Sequence, residues 1–133
     1  MTGVADTRLL LTLEFPPTAD AKARVEELCQ REIAGRLLAP SIVLTEFIKI
    51  AGPRIGKDGA KTRLRMLVDR GMRVVPLDEE EAMIAGELLL SHQDVPTADA
   101  LIGSFVKMRA AEYVVTDDPH YKILGVKTKW LQV

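Results

Sequence analysis

Short β-rich runs and longer stretches of helical apolar spacing alternate along the chain, and they predict a strand-helix-strand order. Gly3-Val4-Ala5 is a minimal buried strand with Asp6-Thr7 directly behind it. Arg8–Phe15 reads as a short helix closed by Pro16-Pro17. Thr18–Ala34 forms a second helix, with Val25, Leu28, Cys29 and Ile33 on one stripe and Gly35 as its stop. After a strand over Arg36–Pro40, Ser41 caps a third helix, Ile42–Ala51, which ends at Gly52-Pro53. Lys57–Arg70 is a fourth helix, with Ala60, Leu64, Leu67 and Val68 inward and Gly71 at its end. Met72–Leu77 is a third strand, and Asp78 with Glu81 makes a capping-box start for a helix through Leu90.

The next helix opens at Thr97 as N-cap, with Asp99 in the first turn where a negative charge suits the dipole. Leu101, Ile102, Phe105, Val106 and Met108 carry it to about Ala111. Glu112–Thr116 is a fourth strand, broken by Asp117-Asp118-Pro119, and Val126–Leu131 is a last one after the Gly125 turn. This order predicts an α/β/α sandwich around a central, mainly parallel sheet of about five strands. The first helix is apolar nearly all round, since Leu9, Leu10, Leu11, Leu13 and Phe15 cannot all face one core. Either a partner covers it, or it is jammed between the sheet and a neighbouring helix.

Composition narrows the class. At 133 residues, with 47% apolar and 28% charged positions, the chain reads as a single globular domain over residues 1–133. No apolar run approaches the length of a membrane span and no signal peptide is visible, so a cytoplasmic protein without membrane association is expected. The single cysteine, Cys29, excludes an internal disulfide framework and fits a reducing compartment. Zinc-type ligand clusters are absent. A net charge of −1 gives no global basic field. The chain has no asparagine and three glutamines (Gln30, Gln93 and Gln132), a scarcity of thermolabile amides that points to a thermophilic source.

Four acids fall where a parallel sheet of this order brings them to one edge. Asp6 ends the first strand, Glu46 lies about a turn into the third helix, Asp99 opens the sixth, and Asp118 follows the fourth strand. Open α/β sheets place their sites at this carboxyl edge. Each acid also has a structural explanation: a cap for Asp6, a solvated face for Glu46, a helix dipole for Asp99. Asp118 before Pro119 is itself a good N-cap. Together they are harder to explain that way. Two carboxylates about 5 Å apart repel by roughly 3 kcal/mol at an effective dielectric near 20. An oxygen-only cluster therefore suits a hard divalent cation, Mg²⁺ or Mn²⁺. Such an ion activates water against a phosphodiester.

The residues on which a family resemblance rests are Asp6-Thr7, Ser41-Ile42-Val43-Leu44-Thr45-Glu46, Ala98-Asp99-Ala100-Leu101-Ile102 and Val115-Thr116-Asp117-Asp118. In this order, and nearly end to end, the chain resembles PIN-domain ribonucleases of the VapC toxin type. The resemblance implies a PIN-like fold and an acidic Mg²⁺ or Mn²⁺ pocket that cuts RNA by metal-activated water. Asp6, Asp99 and Asp118 would be metal ligands, directly or through water, and Glu46 would ligate through water or orient the nucleophile. Thr7 and Thr116 would hold carboxylates in place by hydrogen bonds. The resemblance further implies a homodimer and a small antitoxin of the VapB type held against the first helices. Two departures stand out. Arg8 takes the place of a small polar residue, where it pairs with Asp6 or touches a substrate phosphate. Asp117 directly precedes Asp118 and competes with it as the fourth carboxylate.

Seven bases lie between Arg54 and Arg73, whereas Asp78–Asp94 holds six acids and no Lys or Arg. This is either a solvated helix pair or an RNA-facing basic stretch, in which Arg54 and Lys57 are the expected phosphate contacts. His92 and His120 are expected to be loop and capping residues outside the site. A PIN nuclease of RNA processing without an antitoxin is the nearest alternative. A nuclease-dead PIN module has no support from the residues, since all four acids are present. A receiver-type phospho-acceptor domain is a distant alternative, because Glu46 and Asp99 would then go unexplained.

Overall fold

The computed structural model describes residues 2–131. Five short strands form one parallel sheet in the order β3-β2-β1-β4-β5. They are β1 (Gly3–Ala5), β2 (Leu38–Pro40), β3 (Arg73–Val75), β4 (Tyr113–Val115) and β5 (Thr128–Lys129). Seven helices among the described residues complete a three-layer α/β/α fold. They are α1 (Thr7–Glu14), α2 (Ala19–Ala34), α3 (Ser41–Ile55), α4 (Lys57–Arg70), α5 (Glu79–Ser91), α6 (Thr97–Lys107) and α7 (His120–Ile123). Helix α1 packs on both α2 and α3, α3 packs on α4, α5 pairs with α6, and α6 lies on β1 and β4. No helix among the described residues is long and apolar enough to cross a membrane.

The strand order has a consequence for function. Chain connections run from β1 outward to β2 and β3, then cross to β4 and β5 on the other side. Ligands of open parallel sheets bind where the order reverses, here between β1 and β4. The receiver alternative does not survive this order, because that fold runs 2-1-3-4-5.

The three central strands are buried at every position, as strands covered on both faces must be. Gly3 is required in β1. A Cβ there would stand 2.7 Å from both Glu32 Oε1 and Tyr113 Cε1, too close for any side chain. Glu32 itself is buried in α2, where it accepts hydrogen bonds from the Tyr113 hydroxyl (2.6 Å) and Lys129 Nζ (3.1 Å). This satisfied charge ties α2 to β4 and β5. Cys29, one turn earlier, is fully buried, and burial pushes its thiol pKa up, so it is inert core.

Several sequence expectations change in detail. Helix α3 does not stop at Gly52-Pro53 but runs through Pro53 to Ile55. It is closed by Gly56 at a φ of 83°, whose N–H reaches Gly52 O. Its N-cap is Pro40, and Ser41 makes no capping bond. Likewise Pro96, not Thr97, precedes α6. Helix α6 ends at Lys107, short of Ala111, because Arg109 takes the left-handed conformation (φ 63°). The N–H groups of Arg109 and Ala110 then fold back to Val106 O and Phe105 O, the Schellman arrangement made without glycine. The Asp78–Glu81 capping box on α5 is present as expected.

The apolar first helix is the jammed one. Leu9 and Leu10 are buried in the core, and Leu11, Leu13 and Phe15 are half-buried between α2 and α3. The large apolar side chains left exposed lie elsewhere, among them Met66 and Val68 on α4 and Met83 and Leu90 on α5.

Candidate functional site

Parallel pairing of Ala5 with Val115 makes the next residues of the two strands, Asp6 and Thr116, neighbours at the carboxyl edge. Asp6 is the N-cap of α1: its Oδ1 accepts from Leu9 N at 3.1 Å. Its Oδ2 accepts from Thr116 Oγ1 at 2.6 Å. Thr116 Oγ1 in turn accepts the Asp118 N–H at 3.0 Å, so one hydroxyl fixes both strand ends. Asp118 Oδ1 accepts from His120 N at 2.9 Å, which starts the short helix α7. Asp99 reaches the same place from the first turn of α6. Glu46 comes from the second turn of α3, where its Oε1 accepts from Thr7 Oγ1 at 2.5 Å. Both threonines therefore hold carboxylates.

His120 belongs to this cluster, against expectation. Its Nδ1 lies 2.7 Å from Asp118 Oδ1 and 3.2 Å from Asp99 Oδ2. One ligand atom from each of the three residues falls within a mutual 4.8 Å. Neither short contact has hydrogen-bond geometry: His120 Nδ1 and Asp99 Oδ2 are buried without a hydrogen-bond partner, as is the Tyr121 hydroxyl nearby. The signal available in the sequence was the Asp-Pro-His spacing. Asp118 turns the chain, and α7 begins on the histidine two residues later.

Burial dominates the electrostatics. Asp6, only 4% exposed, has its pKa pushed up to about 7, chiefly by desolvation, against the lowering pull of its Thr116 and Leu9 hydrogen bonds. Asp99 is pushed up to about 6, again by desolvation first and then by the charge of Asp118. The buried Tyr121 phenol is raised far above its ordinary value by burial and by the four surrounding acids.

A cleft of about 590 Å³ opens onto these acids. Asp6, Glu46, Asp99 and Asp118 all line it, with Thr7, Arg8, Asp117 and Arg54. Lys57 is not among the lining residues. Arg8 does not pair with Asp6; its guanidinium bonds Asp117, with Nη2 also 3.4 Å from Asp117 Oδ2. That pairing turns Asp117 toward Arg8, while Asp118 faces Asp99 and His120.

The donor set fits a divalent cation. It combines hard carboxylate oxygens, one imidazole nitrogen, two unpartnered buried atoms, and carboxyls that need a neighbouring positive charge to ionise fully at neutral pH.

Comparison with known proteins is consistent with this layout. No curated protein matches the chain by sequence. Among solved structures, VapBC2 from Rickettsia felis bound to a promoter DNA fragment superposes with a TM-score of 0.75 at 17% identity, covering 99% of this chain and 100% of that one. Mycobacterium tuberculosis VapC20, a sarcin-ricin-loop-cleaving toxin, gives a TM-score of 0.75 at 16% identity over 94% and 96%. DNA-bound VapBC from Salmonella typhimurium gives 0.73 at 20% identity over 98% of both chains. At these identities the likeness concerns the fold. The PIN domain pattern itself matches residues 5–127, from the last residue of β1 to the segment leading into β5. With nearly its whole length covered by that match, the chain belongs to the PIN-domain family.

Proposed function

We propose that this chain is a Mg²⁺- or Mn²⁺-dependent endoribonuclease and the toxin of a VapBC-type toxin–antitoxin pair. One observation carries the reading: Asp99 and Asp118 line an open cleft with Asp6 and Glu46, and each offers an oxygen that falls within a mutual 4.8 Å of one another and of a nitrogen of His120. Asp6, Asp99 and Asp118, with His120 and with Glu46 directly or through water, would hold the ion. Such an ion, when bound, lowers the pKa of a water molecule and offsets charge on a phosphodiester. The chain's own residues do the rest. Thr116 holds Asp6 and the Asp118 backbone in register. Thr7 fixes one Glu46 oxygen and leaves the other to orient a water. Arg8 is held against Asp117 at the rim, where it meets a phosphate only by leaving that partner.

The antitoxin reading draws on similar structures named as VapBC, and the homodimer reading on exposed apolar residues such as Val68 and Leu90.

Cleavage of a mixed single-stranded RNA panel tests the proposal, with Mn²⁺, Mg²⁺ or EDTA, for wild type beside Asp99→Asn. Metal-dependent cleavage that the variant loses is expected. Equal cleavage by both proteins, or cleavage that survives EDTA, overturns it.

A further inference from the structure

The acids are only part of the cleft lining. The remainder includes a wall of different chemistry, drawn from three separate segments. Trp130 and Leu131 follow β5, Phe15 closes α1, and Ile50 and Arg54 come from α3. The unbroken course of α3 through Pro53 matters here. Glu46, Ile50 and Arg54 recur every fourth residue and share one helix face, with Arg54 about 12 Å along the axis from Glu46.

The Arg54 guanidinium carbon sits over the Phe15 ring, 3.7 Å from its centroid. It is exposed, and among the described residues it makes no ion pair. Trp130, the only tryptophan, is half-buried in the same wall. A planar cation held over an aromatic ring, in a cleft that an indole and the four acids also line, has the chemistry of a base-stacking platform. A purely apolar ligand would leave the Arg54 charge unused. A bare phosphate would leave the aromatic wall unused. An unpaired nucleotide uses both.

We infer that this wall is a stacking subsite for an unpaired nucleobase of the RNA, adjoining the phosphodiester held over the acids. The inference rests on the ribonuclease reading above and names the part of the substrate that the cleft selects: single-stranded, with at least one base free to leave its neighbours. Its axial distance from Glu46 places that base on a nucleotide flanking the cut, not on the scissile phosphate itself.

The single tryptophan supplies the test, because its fluorescence reports from the wall. A mixed-sequence single-stranded hexanucleotide is titrated against wild type in Mg²⁺, with the emission read on mixing, beside the same length made with abasic sugars. The natural oligonucleotide is expected to quench the emission and to bind about tenfold more tightly than the abasic one. Arg54→Lys, which keeps the charge but not the plane, is expected to lose most of that base-dependent difference while its abasic affinity stays as in wild type. Equal quenching and affinity for both oligonucleotides overturns the inference, even where metal-dependent cleavage is intact. Base-dependent quenching without any cleavage upholds the subsite and fails the nuclease reading instead. A quench by an arginine–leucine hexapeptide, with none by RNA, would assign the wall to a protein partner and overturn the inference.

Discussion

Thr116 Oγ1 donates a 2.6 Å hydrogen bond to Asp6 Oδ2 across the junction of β4 and β1, and the same oxygen accepts the Asp118 N–H. Both residues stand one position beyond paired strand residues, Ala5 and Val115. The contact lowers the pKa of Asp6, which burial nonetheless drives up to about 7. Thr116→Val keeps the shape but removes the donor and the acceptor. It is expected to cost about 1–3 kcal/mol of stability and to move the acid limb of the cleavage profile to higher pH. Thr116→Ser is expected to restore both. A Val variant with an unmoved pH profile would show that the hydroxyl is structural only.

Stability of the metal-free protein follows from the raised carboxyls. Asp6 rises from 3.8 to about 7 and Asp99 to about 6. Between pH 4 and 7 the folded chain therefore binds more protons than the unfolded chain, and stability falls as pH rises through that window. Asp6→Asn can keep the cap on Leu9 N and carries no charge. Its advantage over wild type is expected to grow by a few kcal/mol from pH 4.5 to pH 8 in EDTA. Thermal melts at several pH values check this, and added Mn²⁺ should raise the wild-type melting temperature most at the alkaline end. A variant advantage that does not change with pH would contradict the assignment.

How much of this was legible beforehand depends on how local each feature is. Asp6 behind a three-residue strand, the Asp78–Glu81 box and Asp99 in a first turn are set within a few residues of chain, and sequence spacing finds them. The order of the strands is not local. Nothing in Gly3-Val4-Ala5 says that its neighbours will be Leu38 on one side and Tyr113–Val115 on the other, yet that pairing brings Asp6 to Thr116. The last turns of α3 were misread because Gly52-Pro53 is a strong local stop signal. Pro53 is tolerated close to the end of the helix, where only two residues follow it before Gly56 closes the turn. His120 was expected outside the cluster because the expected chemistry needed no base. Its place beside Asp118 and Asp99 depends on the two-residue step from Asp118, which the turn at Pro119 makes compact.

Asp117 and Asp118 separate cleanly by partner. Asp117 bonds Arg8 at the rim, in a pair that is substantially exposed on both sides. Asp118 faces Asp99 and His120. Asp118→Asn is expected to lower cleavage a hundredfold or more, on the order seen when a metal site loses a holding group. Asp117→Asn is expected to stay within about threefold and to change stability by less than about 1 kcal/mol, as exposed ion pairs do. Parallel rate measurements at saturating Mn²⁺ decide between them, and equal losses would mean that the two carboxylates share the role.

Glu32 provides the control for a buried charge with no part in the chemistry. It is 3% exposed and holds Tyr113 and Lys129 on the α2 side of β4 and β5, with Gly3 packed against it. Removing one partner of such a group leaves the others buried and unpaired, which costs far more than the net worth of the pair. Glu32→Ala is therefore expected to destabilise the fold by about 3–5 kcal/mol, whereas Glu32→Gln, which can still accept from the Tyr113 hydroxyl, should lose less. Because the cluster shares no residue with the cleft, cleavage per folded molecule should be unchanged in the Gln variant at a temperature where it is fully folded. Denaturant melts give the first quantity and active-site titration with Mn²⁺ the second. A Gln variant that is fully folded but slow would mean that the position of β5, and with it Trp130 in the cleft wall, feeds into catalysis.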